Sequence, residues 1–202
     1  MSGDGPTASA RQVELLERAY RYALEHGLAD LSLRPLAKAV GSSPRVLLYL
    51  FGSKDGLVQA LLARARADEL DLLDRVRGAS VSTDERAGLD AVASEVWRWL
   101  AAEEHRALLT LWIEGYARSL VDPEGSWGGF ARATVENWLE LLAGAQPRDV
   151  RDTDVGRARR TLVLAVLRGA LLDLLATGDV ERTTAAVHEQ LQTLRGEGAA
   201  PR

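Results

Sequence analysis

With 47% hydrophobic and 27% charged residues in 202, the chain has the composition of a folded soluble protein, not of a disordered or membrane-embedded one. It has no cysteine and only three histidines, which excludes disulfides and thiolate metal sites and leaves few soft-metal ligands. The net charge of -4 excludes a uniformly basic surface, yet it is unevenly spread: residues 1–60 hold seven basic and six acidic residues, against eighteen and twenty-three in 61–202.

Residues 1–10, "MSGDGPTASA", are small and polar and read as a disordered arm without the apolar core of a secretory signal. No apolar run reaches the length of a membrane span. The best candidate, "TLVLAVLRGALLDLLA", is interrupted by Arg168 and Asp173, so a cytoplasmic protein without membrane contact is expected. A first helix follows from residue 11, with Val13, Leu16, Tyr20 and Ala23 on one face, and Gly27 ends it.

Ser32 is positioned to cap a second helix, short and apolar at Leu33, Leu36, Ala37 and Val40, before Gly41 stops it. Ser43 and Pro44 then open a third helix that Gly52 closes. Two brief helices joined by a glycine-containing turn spell helix-turn-helix. Ser53 caps a fourth helix to about residue 77, with Leu57, Leu61, Ala65 and Leu72 facing the core. Further helices are expected over about 84–102, 103–120, 126–145, 153–176 and 179–195, with "VDPEG" and "QPRDVRDTD" as loops and 196–202 as a flexible tail. The fold class is therefore all-α: an N-terminal three-helix helix-turn-helix domain over 11–57, then a helical bundle over 58–195.

The only two lysines, Lys38 and Lys54, fall with Arg34 and Arg45 in "RPLAKAVGSSPRVLLYLFGSKDGL", where no acid stands before Asp55. In a net-acidic chain such a cluster suits phosphate neutralisation. Arg45, on the first turn of the third helix, can fork onto a guanine, and Tyr49 one turn later can reach a phosphate or a thymine methyl. Lys54 opens the fourth helix, where free N–H groups favour an anion. With the helix-start residues Ser32, Ser43 and Pro44, the predicted DNA-contacting set is Ser32, Arg34, Lys38, Ser43, Pro44, Arg45, Tyr49 and Lys54.

Residues 11–57 resemble the N-terminal domain of the TetR family of one-component transcriptional repressors. The likeness rests on "HGLADLSLRPLAKAVGSS", then "SPRVLLYLF", then "GSKDGL" leading into a long helix. "LAVLRGALLDLLATGD" is similar to the family's dimerisation helices. This chain departs from the family at Leu48 and Leu50, where an aromatic and a histidine or tyrosine are usual, and Tyr49 stands one residue on from the usual aromatic.

The resemblance implies operator DNA as partner, a small-molecule effector bound in the C-terminal helices, a homodimer, no cofactor and no catalysis. All five tryptophans lie between 97 and 138, and Trp97, Trp112, Tyr116, Phe130, Trp138 and Arg168 are the candidate ligand contacts. The last two helices supply the predicted dimer interface through Leu162, Val166, Gly169, Asp173, Val187 and Leu191. No Glu-x-x-His metal pattern, G-x-S-x-G elbow or phosphate loop is present, so neither a metal site nor an enzyme is expected. Within DNA-binding proteins, an activator or a ligand-independent regulator is the alternative; outside them, an all-α enzyme or small-molecule carrier.

Overall fold

The computed structural model describes residues 5–28, 31–81, 88–125 and 127–198. All regular structure among them is helical: α1 (Gly5–His26), α2 (Leu33–Ala39), α3 (Pro44–Phe51), α4 (Lys54–Val81), α5 (Leu89–Leu100), a 3-10 turn (Glu103–His105), α6 (Arg106–Val121), α7 (Phe130–Gly144), α8 (Arg148–Arg151), α9 (Asp154–Thr177) and α10 (Val180–Gly198). Among the described residues no single helix is long and apolar enough to cross a membrane.

Several boundaries differ from the sequence reading. Helix α1 begins at Gly5, so residues 5–10 continue it where an arm was expected, and α10 reaches Gly198 into the expected tail. Helix α4 runs on to Val81. The segment read as the loop "QPRDVRDTD" folds a short helix, α8, because Pro147 at its N-cap leaves the Val150 and Arg151 amides to bond back to the Pro147 carbonyl. The buried stripe of α1 is Leu15, Ala19, Tyr20 and Ala23, whereas Val13 is exposed. The side chain of Leu72 lies outside the described residues.

The chain packs into two compact units. The first joins Met1–Glu69 with Ala107–Ala131, so α6 belongs with the helix-turn-helix segment. The second joins Leu70–Arg106 with Arg132–Arg202. In the first, Leu15, Ala19, Leu36, Ala37, Leu47, Leu57 and Leu61 are essentially inaccessible to solvent. Helix α1 is tied to α4 by a polar bracket: the Tyr20 hydroxyl donates to Asp68 at 2.8 Å, and Arg64 binds both Asp68 and Glu17 while lying 4.9 Å above the Tyr20 ring centroid.

In the second unit, α5 presents Val92, Ala93, Val96, Trp97 and Leu100 to α9 and α10, whose inward residues include Val163, Leu167, Leu171, Val187 and Leu191. The Trp97 indole N–H donates to Thr184 at 3.0 Å, joining α5 to α10. Thr153 caps α9 by accepting from the Gly156 amide at 3.0 Å, and Gly178 closes that helix. Buried Gln146 ties the start of α9 to the chain before it, donating to the Gly156 carbonyl at 2.8 Å and accepting from Arg160 at 3.0 Å.

Burial, followed by the hydrogen bond to Asp68, holds the Tyr20 phenol protonated far above its ordinary range. Tyr20→Phe is expected to lower stability by about 1–3 kcal/mol at pH 7 in urea unfolding. The wild-type advantage is fully present below pH ~10 and shrinks as pH rises beyond it, because the phenol ionises near there only in the unfolded chain. An unchanged difference at high pH would contradict this assignment.

Candidate nucleic-acid interface

Three short segments of the first unit carry exposed cations. On α2, Leu36 and Ala37 turn inward, and Arg34 and Lys38, one helical turn apart, remain exposed. Ser32 occupies the N-cap in an extended conformation, but its side chain makes no capping bond. The chain then reverses: Gly41 takes φ +67, which a side chain would strain, and the Ser42 amide donates to the Ala37 carbonyl at 2.8 Å. Ser43 Oγ accepts from the Val46 amide at 3.3 Å and Pro44 takes the first helical position, which starts α3 and sets Arg45 on its first turn.

Helix α3 has eight residues, "PRVLLYLF", and only Leu47 of them is fully buried. Six are apolar or aromatic besides Pro44 and Arg45, more than one inward face can hold. The surplus faces solvent: Val46 and Leu48 are each 39% exposed and Tyr49 is 83% exposed. With Arg45 they form a guanidinium, a phenol and aliphatic surface on one outward side of the helix. Val46 and Leu48 were absent from the sequence-predicted set. Their signal was the excess of apolar positions over the period of a two-turn helix.

Lys54 sits at the first position of α4, where Ser53 Oγ accepts from the Gly56 amide at 2.9 Å. Among the described residues, Arg34, Lys38, Arg45 and Lys54 enter no ion pair. The nearby arginines behave otherwise. Arg11 and Arg18 both pair with Glu14, at 2.7 and 2.6 Å, and hold its carboxyl below the usual range, Arg11 contributing most; Arg64 pairs with Glu17 and Asp68. The eight predicted contacts thus fall on three adjacent stretches of chain, with the four unpaired cations all exposed.

The C-terminal candidates divide between the units. In the first, Trp112 and Phe130 are buried and Tyr116 is half-buried. Gly115 lies directly against aromatic rings there: a Cβ would come within 2.8 Å of Trp127 and 3.2 Å of Phe130. In the second, Trp138 is buried, Arg168 is half-buried, and Trp97 is a core residue whose N–H is already bound by Thr184.

Of the dimer candidates, Leu162 and Gly169 are exposed and Val166 is half-buried, while Asp173 forms a two-bond ion pair with Arg182, each bond 2.7 Å. Val187 and Leu191 are 0% and 3% exposed within the single chain, on a helix, α10, that packs against α5 and α9. His105 ends the 3-10 turn and stacks on Trp99, the ring centroids 3.8 Å apart.

Comparison with known proteins adds the decisive observation. Residues 15–61 match the model of bacterial regulatory proteins of the tetR family. That segment is a TetR-type helix-turn-helix domain. The matched residues include α2, α3 and the start of α4, where the four exposed cations lie. TetR proteins are DNA-binding regulators, not enzymes. Among similar proteins, the HTH-type transcriptional regulator Rv1816 of Mycobacterium tuberculosis is 28% identical over 71% of this chain, and the chain spans 61% of that regulator's length. The transcriptional repressor Rv1474c of the same organism is 29% identical over 89% of each protein. The multidrug binding protein EbrR, solved with proflavin, has a TM-score of 0.62 at 26% identity, covering 90% of this chain and 99% of its own.

If Arg45 contacts a base edge, Arg45→Ala will cost about 1–3 kcal/mol on a selected duplex and relax its base preference. Lys54→Ala will instead weaken all sequences alike and reduce the salt slope by about one. Binding titrations across a salt series separate the two outcomes.

Proposed function

We propose that this protein is a dimeric transcriptional repressor whose α2, α3 and α4 starts bind operator DNA, and that a small apolar or aromatic effector releases it. The observation carrying this reading is the outward side of α3, where Arg45, Val46, Leu48 and Tyr49 are all exposed, with exposed, unpaired cations on α2 and at the start of α4 as well. A soluble monomer gains nothing from exposing aliphatic residues and an aromatic on an eight-residue helix, whereas a major groove offers thymine methyls and guanine edges to them. Residues 11–57 form the DNA-binding domain in this reading, and 58–195 the regulatory part.

The dimer reading is supported by α9. Ala158, Leu162, Ala165, Gly169, Leu172 and Ala176 are all exposed and recur at alternating steps of four and three, the spacing of a helix-packing seam. Gly169 has open space around it, which suits a close helix approach from a second copy. Two such seams would give each dimer two reading helices related by a twofold axis, as successive major grooves require.

Support for an effector comes from α7. Thr134 and Asn137 lie one turn apart, and Thr134 Oγ1 and Asn137 Nδ2 are buried without a hydrogen-bond partner, while Trp138 beside them is buried. Unmet buried donors of this kind are costly, and an apolar ligand carrying one acceptor oxygen would satisfy them. EbrR, a multidrug binding protein, takes proflavin, an aromatic molecule. An effector that favours a conformer with wrongly spaced reading helices would release DNA by population shift.

The test is selection of an operator from random duplexes, followed by effector titration using proflavin and a panel of hydrophobic carbonyl compounds. Wild type is expected to select a palindromic site and lose about 1–3 kcal/mol of affinity for it when an effector is bound, with the reciprocal loss of effector affinity on DNA. Failure to select any site would refute the reading. Gly169→Glu, which places a carboxylate in the seam, should sediment as a monomer and bind only half-sites weakly; a wild-type monomer at micromolar concentration would refute the dimer.

A further inference from the structure

We infer that Glu114 is a positioning residue that latches the turn between α1 and α2, holding the reading helices in the arrangement that meets DNA. The inference rests on the DNA-binding reading above but assigns a role to a residue outside the DNA-contacting segments. Helix α1 ends where the Gly27 amide bonds the Ala23 carbonyl at 2.8 Å, and Gly27 then takes φ +76. The next amide, that of buried Leu28, has left the helix ladder. It donates to Glu114 Oε2 at 2.9 Å, a bond spanning 86 positions of sequence. Gly27 lies against the same oxygen: its absent Cβ would stand 3.4 Å away, so any side chain there would adopt a strained φ while touching the latch.

Two features make this contact more than an incidental cap. Helix α6 is held from a second direction immediately beside Glu114, because Gly115 sits against the rings of Trp127 and Phe130 with no room for a methyl group. A shift of those rings or of α6 would move Glu114 and the Leu28 amide apart, because residues 114 and 115 are rigidly linked in one helical turn. The other carboxylate oxygen, Oε1, is buried without a hydrogen-bond partner. A buried carboxyl oxygen without a donor opposes the closed arrangement. The latch is therefore balanced between one hydrogen bond that closes it and one unmet oxygen that favours opening, the condition for an element that a modest perturbation can switch.

The experiment uses the full-length protein and a duplex selected with the wild type. Amide hydrogen exchange at Leu28, operator affinity and its salt slope are compared among wild type, Glu114→Gln and Glu114→Ala. Glu114→Gln keeps an oxygen that can accept from Leu28 and should stay within about twofold of wild type in exchange and affinity, whereas Glu114→Ala should raise Leu28 exchange and weaken operator binding, each by about tenfold. The salt slope should not change, since no phosphate contact is lost. Glu114→Met, which fills the space without accepting a hydrogen bond, substitutes for Glu114→Ala should that variant fail to fold. Unaltered Leu28 exchange, unaltered operator affinity, or a glutamine variant as defective as alanine would each overturn the role of Glu114. A wild-type protein that selects no duplex would instead overturn the regulator reading itself, which separates the two failures.

Discussion

Helix α1 is the strut on which α2 and α3 hang, and its hold depends on polar side chains reaching across to other helices. Gln12 donates to the Leu50 carbonyl of α3 at 2.9 Å and Arg18 to the Val40 carbonyl at the end of α2 at 3.2 Å. Glu17 and Tyr20 hold α4 through Arg64 and Asp68. Both carbonyl acceptors lie at or near helix C-termini, where backbone oxygens lack intrahelical partners. Helices of seven and eight residues are too short to be stable alone. Their orientation comes from Leu36, Ala37 and Leu47 packed beneath them and from α1 securing their ends.

Charge is distributed along the same lines. Arginines that serve the scaffold are neutralised by acids on their own or neighbouring helices, Arg11 and Arg18 by Glu14, and Arg64 by Glu17 and Asp68. The cations on the outer surface of α2, α3 and α4 have no such partners among the described residues. Exposed ion pairs contribute little to stability, so leaving these four unpaired costs the fold little. It leaves their full charge at the surface, available to the DNA contact proposed above.

The second unit combines a well-satisfied core with residues whose polar or apolar surface is unmet. Trp97 is sealed and its N–H is bound, and α5, α9 and α10 interlock around it. The repeat of exposed small and apolar residues on α9 lies opposite that core, and Thr134 and Asn137 on α7 hold buried polar atoms without partners. A monomer in water is penalised for both features, one by lost hydrophobic burial and the other by desolvation.

Much of this was legible in the sequence because it depends on local chemistry. Ser43 and Pro44 start α3, Gly41 turns the chain, Ser53 opens α4 and Thr153 opens α9, each through bonds to residues within a few positions. The cluster of Arg34, Lys38, Arg45 and Lys54 was visible for the same reason, as a run of bases without an intervening acid. Apolar periodicity was less decisive where a helix carries more apolar residues than one face can bury. Val13 was grouped with the apolar face of α1 and is exposed; Val187 and Leu191 were assigned to a dimer interface and are buried within the single chain; Val46 and Leu48 were passed over. Only tertiary packing decides which of two competing stripes meets the core, because both satisfy a period of 3.6. Glu114 marks the other limit: nothing near it in the chain distinguishes it from a solvated helix acid, and its partner is a backbone amide 86 residues away that only the folded chain brings within 2.9 Å.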